Sequence, residues 1–179
     1  MATFVAAIIA ALSGIVSLVV TTVFNWSSVQ RSAHRDLLSP YMPTLSKELH
    51  QIIACSDMIS KCKSTESVRS WHDRALESQT VLKGIRTELR YPLWGIDIGL
   101  HTITRLPNWV ENTRKHPKVS KKLLVHGNKL GKLIDLTILD CYQTGLPPKA
   151  FAKWRIKRRS QKLRSEFKKF GAQKKVSRP

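Results

Sequence analysis

Apolar residues fill the first part of the chain without the spacing of an amphipathic element. Residues 4–24 form a 21-residue stretch that only glycine, serine and threonine interrupt. A helix that rises about 1.5 Å per residue needs about 20 such residues to cross a hydrocarbon core. No Lys or Arg precedes the stretch and no small-residue cleavage site follows it, unlike a secretory signal peptide. The pattern therefore predicts an uncleaved transmembrane helix within residues 1–30.

The first charged side chains indicate the orientation of this helix. Arg31 and Arg35 follow the apolar stretch directly, and basic residues remain on the cytoplasmic side of a span. We expect a single-pass membrane protein, with its N-terminus outside and its C-terminal domain in the cytoplasm. An odd number of cysteines (Cys55, Cys62 and Cys141) agrees with a reducing compartment.

Small side chains recur three or four positions apart within the predicted span. Such a stripe allows helices to approach closely in lipid, where packing drives their association. We expect the chain to form a homo-oligomer through this stripe, and a ring of spans would give a weakly polar pore. The stripe residues are Ala7, Ala10, Gly14, Ser17 and Thr21.

The next segment, residues 31–148, predicts a cytosolic helical bundle. Apolar positions repeat at helical spacing, and no alternating run is long enough for a strand. The clearest seam lies on the second helix, where Val68, Trp71, Ala75, Leu82, Ile85 and Leu89 share one face. The predicted helices cover about residues 45–63, 65–91, 93–105 and 118–142, with a short piece between Pro107 and Pro117. Gly145 with the following Pro147 and Pro148 predicts the end of the fourth helix.

The fourth helix carries two further features. Gly127 and Gly131 lie four residues apart, which favours close packing against another helix over a hinge or a docking point for another subunit. A basic face accompanies them, and it predicts either an anion site or an ordinary solvated surface. That face consists of Lys121, Lys122, His126, Lys129 and Lys132.

Charge changes the interpretation of the C-terminal segment. The chain has 31 Lys and Arg residues against 12 Asp and Glu, a formal net charge of +19. Residues 149–179 contain 13 of those cations and one acid, Glu166. Apolar residues at helical spacing, among them Ile156, Leu163, Phe167 and Phe170, predict a polybasic amphipathic helix. Its predicted contact residues are Lys153, Trp154, Arg155, Lys157, Arg158, Arg159, Lys162, Arg164, Lys168 and Lys169.

Such a helix fits several partners. Its apolar side could enter a bilayer while its cations meet anionic lipid. Its cations could instead bind RNA or DNA by releasing counterions, with aromatic rings stacking on bases. An acidic protein partner or a solubilising tail are the other interpretations. Tethering of the chain at a membrane favours lipid, because a second membrane contact then occurs at high effective concentration.

Motifs for catalysis and cofactor binding are absent from the sequence. It contains no phosphate-binding glycine loop, no CxxC or HExxH spacing and no nucleophile elbow. We therefore expect a non-enzymatic protein without a cofactor or a metal.

The layout of residues 4–24, Arg31, Arg35 and the helical segment from Leu37 resembles that of small bacterial membrane proteins with a cytosolic helical bundle. Some antiphage effectors and CRISPR accessory proteins have this layout, although the paired Arg and His of ribonuclease-like accessories are missing here. The resemblance implies a self-associating, pore-forming or membrane-perturbing effector in bacterial defence, located in the bacterial inner membrane. The alternative is a membrane-tethered nucleic-acid-binding protein that acts through its basic C-terminal segment.

Overall fold

Helices make up the regular structure of this chain. The computed structural model describes the backbone of residues 2–89 and 95–176 and the side chains of residues 13–89 and 95–171. These residues contain no strand, which confirms the all-α prediction. The helices are α1 (Ala2–Leu38), α2 (Met42–Lys61), α3 (Thr65–Glu88), α4 (Asp97–Ile103), α5 (Leu106–Thr113), α6 (Pro117–Thr144) and α7 (Ala150–Val176).

One side of the bundle is the hairpin of α2 and α3. Ser64 is the N-cap of α3, since its hydroxyl accepts a hydrogen bond from the Ser67 amide at 3.1 Å. The predicted seam of α3 faces inward. Ser78 and Gln79 are also buried, and they occupy the part of this face between Ala75 and Leu82 in which the predicted seam has no apolar residue. Periodicity thus identified the correct face of this helix.

Helices α6 and α7 form a second hairpin, and they run antiparallel. Near their connection, the Lys149 ammonium lies 3.4 Å from the Asp140 carboxylate. At the far end, the ring of Phe170 meets that of His116 with centroids 4.9 Å apart. Successive residues of α7 therefore lie beside earlier and earlier residues of α6.

The apolar stripe of α7 is part of the core. Ile156 and Leu163 are fully buried, Phe170 is nearly so, and Phe167 stacks on Trp109 with centroids 5.2 Å apart. The predicted stripe is confirmed, and it packs against α4 and α6. A bilayer contact through this stripe would require α7 to leave the bundle.

Close packing explains the two glycines of α6. A Cβ on Gly127 would lie 2.5 Å from Cδ2 of Leu106 in α5, and one on Gly131 would overlap Cδ1 of Ile53 in α2. The close-packing interpretation is therefore confirmed. Not every apolar side chain of α6 is buried: Leu136 is 64% exposed, because the neighbouring Thr137 occupies the buried face of the helix.

The first helix leaves the bundle past the C-terminal end of α6. Leu38 is buried in the core, the Arg35 guanidinium donates to the Gln143 carbonyl at 2.9 Å, and the Arg31 backbone lies against Gly145. The two helices are antiparallel where they meet, since Arg31 contacts Gly145 and Arg35 contacts Gln143. The residues of α1 before Arg31 therefore extend beyond the bundle. We call the end formed by residues 143–151 the proximal end.

The predicted membrane span is not confirmed. In the described part of the chain, no helix combines the length and the apolar character that crossing a membrane requires. The side chains of residues 4–12, including Ala7 and Ala10 of the predicted stripe, lie outside the described residues. Further along that stripe, the Thr21 hydroxyl donates a hydrogen bond to the Ser17 carbonyl at 2.8 Å.

Candidate polyanion-binding surface

The outward face of α7 carries cations along most of its length. Opposite the buried stripe, this face exposes Phe151, Trp154, Arg155, Arg158, Lys162 and Lys169. From Phe151 to Lys169 the face is about 27 Å long, at about 1.5 Å per residue. No carboxylate of the described chain pairs with Arg158, Arg159 or Lys162. These three charges therefore remain available to a bound anion.

Packing of α6 against α7 brings the two predicted basic segments together. His126 of α6 lies at this junction: burial lowers its pKa, the charge of Lys162 on α7 lowers it further, and Glu166 of α7 acts in the opposite direction. Arg159 of α7 and Lys129 of α6 are also close enough to lower this pKa. Lys122 precedes His126 by four residues and Lys129 follows it by three, so both lie on the same side of α6. We call the joint set of cations the basic surface: Lys122, Lys129, Arg155, Arg158, Arg159 and Lys162.

A groove of about 330 Å³ opens along the first turns of α7, lined by the aromatic pair of Phe151 and Trp154 together with Arg155, Arg158, Arg159 and Lys162. The two rings stack with centroids 5.8 Å apart. The Arg155 guanidinium lies 5.7 Å from the centre of the Phe151 ring, and that of Arg158 lies 5.4 Å from Trp154. Both rings remain more than half exposed. The groove thus offers an aromatic wall beside several guanidinium groups.

Other predicted contact residues of α7 have different surroundings. Arg164 donates to the Thr102 hydroxyl at 3.2 Å and so serves the packing of α7 on α4. The alkyl chain of Lys153 lies against Gly95, whose φ of 88° only glycine adopts readily. Lys169 pairs with Glu166 at 3.6 Å. Lys157 lines a separate cleft beside His101, and Lys168 is exposed at the edge of the outward face.

The remaining lysines of the predicted anion face lie apart from α7. Lys121 and Lys132 are exposed. Each of them lies at an angle of about 120° or more from His126 around the axis of α6. The predicted face on α6 is therefore divided, with only part of it next to α7. The sequence did not reveal this division, because it depends on which side of α6 receives α7.

Among the described side chains, no group of three or more His, Cys, Asp or Glu residues is close enough to hold a metal ion. Cys55 and Cys141 are buried free thiols, and burial raises the pKa of Cys141 to about 11. That thiol is a weak nucleophile at neutral pH.

No protein-family model, curated protein or solved structure matches this chain.

Three partly buried histidines predict that stability falls in mild acid. Burial lowers the pKa of His34, His101 and His126 below 6.5, the ordinary value that each recovers on unfolding. Between the folded and unfolded pKa values the unfolded chain binds more protons, so the free energy of unfolding decreases as pH falls through 6.5. We expect a lower thermal unfolding midpoint at about pH 5.5 than at about pH 7.5, where these histidines are neutral in both states.

The variant H126N tests the contribution of one of these histidines. Removing the titrating ring should reduce the difference between the two unfolding midpoints. An equal or higher midpoint in acid for the unmodified chain would contradict the prediction.

Proposed function

We propose that this protein is a membrane-anchored nucleic-acid tether, in which α1 holds the chain in a bilayer and the basic surface binds phosphodiester groups. The observation that carries the proposal is the joining of cations from α6 and α7 on one face, with no carboxylate of the described chain paired to Arg158, Arg159 or Lys162. A helix with one basic stripe is common, whereas two helices that share one polyanion-sized surface favour a ligand with many phosphates.

Exposure of α1 supports the anchor. Every described side chain in residues 13–26 is exposed, and apolar residues occur on all sides of the helix, with Ile15 61% and Phe24 71% exposed. Exposed apolar side chains on opposite sides of one helix favour an apolar environment. The hydroxyls of Thr21 and Thr22 each donate a hydrogen bond of 2.8 Å to a carbonyl of the same helix. Such bonds allow threonine to be accommodated in lipid.

Distance along the bundle favours nucleic acid over lipid as the ligand of the basic surface. Lys162 of α7 lies beside His126 of α6. His126 precedes Gly145 by 19 residues, which corresponds to about 28 Å along a helix. Surface charges are screened over about 8 Å at physiological ionic strength. Lys162 and the α6 lysines beside it therefore suit a soluble polyanion better than the anchoring bilayer.

The proposal is tested by binding of the full chain, in an uncharged detergent, to a fluorescently labelled single-stranded oligonucleotide. With about 0.7 counterions released per phosphate contacted on a single strand, six cations predict a slope near −4 for log affinity against log salt. Affinity that does not respond to salt, or no binding at low salt, would overturn the proposal. A duplex of the same sequence measures any preference between strand forms.

Self-association of α1 and a role as a membrane-perturbing effector stay predictions. They predict a discrete oligomer of the detergent-solubilised chain, with depolarisation of cells that express the full chain and none with a chain that begins at Gln30. Light scattering coupled to size-exclusion chromatography measures the mass of the protein within the micelle. A monomer would remove the pore hypothesis and leave the tether intact, since one anchor and one basic surface suffice for tethering.

A further inference from the structure

The proximal end and the adjoining first turns of α7 expose apolar and aromatic side chains that the basic surface does not require. Leu146 is 41% exposed, and the aromatic pair Phe151 and Trp154 is 66% and 51% exposed. Leu146 follows Gly145, which lies against the Arg31 backbone, and α7 begins five residues after Gly145. Leu146 therefore lies at the end of the bundle from which α1 projects, and the aromatic pair lies in the adjoining first turns of α7.

The separation between this end and the apolar part of α1 is small. Trp26 precedes Arg31 by five residues, which corresponds to about 7.5 Å along a helix. Lys149 is held near the last turns of α6 by its ion pair with Asp140 at 3.4 Å. The start of α7 is thus held against the same end of α6 that contacts α1.

Chemically, the aromatic pair and its arginines fit the interfacial layer of a bilayer. Tryptophan is enriched at the level of lipid headgroups because its ring is apolar and its N–H is polar. Arg155 and Arg158 lie over the faces of the two rings, so their guanidinium groups accompany the rings to the level where lipid phosphates lie. Attachment through α1 also supplies a high effective concentration, so this second contact needs little affinity of its own.

We infer that Leu146, Phe151 and Trp154 form a second membrane contact, which seats the proximal end on the bilayer that holds α1. This inference rests on the proposed anchor. The contact fixes the tilt of the bundle and brings Arg155 and Arg158, at the start of the basic surface, to the level of the headgroups. Lys162 follows Trp154 by eight residues, about 12 Å along α7, so it stays accessible to a soluble polyanion together with Lys122 of α6.

The test uses tryptophan fluorescence of the full chain reconstituted into phosphatidylcholine vesicles that contain a lipid with a nitroxide quencher near its headgroup. W26F serves as the starting protein, because Trp26 is itself expected near the interface. We expect the additional change W154F to remove most of the quenching. The matched change W109F, at a ring that stacks on Phe167 inside the bundle, should leave the quenching in place.

Flotation of the same vesicles separates the two possible failures. Protein that floats but shows equal quenching with and without Trp154 overturns the second contact and leaves the anchor standing. Protein that does not float overturns the anchor and the inference together. Quenching of Trp154 by a single-stranded oligonucleotide but not by the nitroxide lipid assigns the aromatic pair to nucleic acid, and this also overturns the inference.

Discussion

Replacement of Arg158, Arg159 and Lys162 by glutamine should lower the affinity of the full chain for a single-stranded oligonucleotide by about 30-fold, or about 2 kcal/mol. Each exposed charge contact contributes up to about 1 kcal/mol. The slope of log affinity against log salt should fall in magnitude by about 2, because three phosphate contacts are lost. Fluorescence anisotropy across a salt series measures both quantities.

A matched variant separates the basic surface from the overall charge. Replacement of Lys63, Arg69 and Lys83 by glutamine removes the same number of cations from exposed positions around α3. This variant should retain nearly all of the affinity and an unchanged salt slope. Equal losses in the two variants would mean that net charge alone attracts the oligonucleotide, and the basic surface would then have no specific role.

Replacement of Gly145 by valine should be the most destabilising change at the joint between α1 and the bundle. Gly145 adopts a φ of 64°, and a Cβ at this position would overlap the carbonyl oxygen of Arg31. A left-handed conformation costs a non-glycine residue about 1–3 kcal/mol, and overpacking adds a similar amount. We expect a total loss of about 3 kcal/mol, or about 6–12 °C in the unfolding midpoint of a chain of this size.

Gly84 provides the control for the loss of a glycine. It lies within α3 with no described atom within 4 Å of the place where a Cβ would lie. G84A should raise the unfolding free energy by about 0.5–1 kcal/mol, because alanine is the better helix former. If G145V unfolds at the midpoint of the unmodified chain, the contact between Arg31 and Gly145 does not define the joint.

Most of the fold was predictable because local signals agree with tertiary packing. Ser64 marks the start of α3, Gly145 follows the end of α6, and Ile156 and Leu163 share one face of α7 as their spacing predicts. The burial of that face within the bundle was not predicted. Leu136 shows the limit of this approach. Its side chain is apolar, but the neighbouring elements cover a face of α6 to which it does not belong.

The candidate surface was only half predictable. Both basic segments are evident in the sequence, since clustered lysines and arginines are local features. Their union depends on the antiparallel packing of α7 on one side of α6, which includes Lys129 and leaves out Lys132. The sequence likewise predicts Arg164 as a contact residue for a partner, but its guanidinium donates a hydrogen bond to Thr102 within the fold. Which cations share a surface is a property of the packing of two helices and cannot be obtained from either helix alone.

The central claim joins an anchor in α1 to a nucleic-acid-binding surface on α6 and α7. The most direct test is flotation of uncharged phosphatidylcholine vesicles that contain the full chain, mixed with a labelled single-stranded oligonucleotide at low salt. The account predicts that protein and oligonucleotide float together, and that the oligonucleotide alone is lost when Arg158, Arg159 and Lys162 are glutamine. Vesicles that carry the unmodified protein to the top of the gradient and leave the oligonucleotide at the bottom would contradict it.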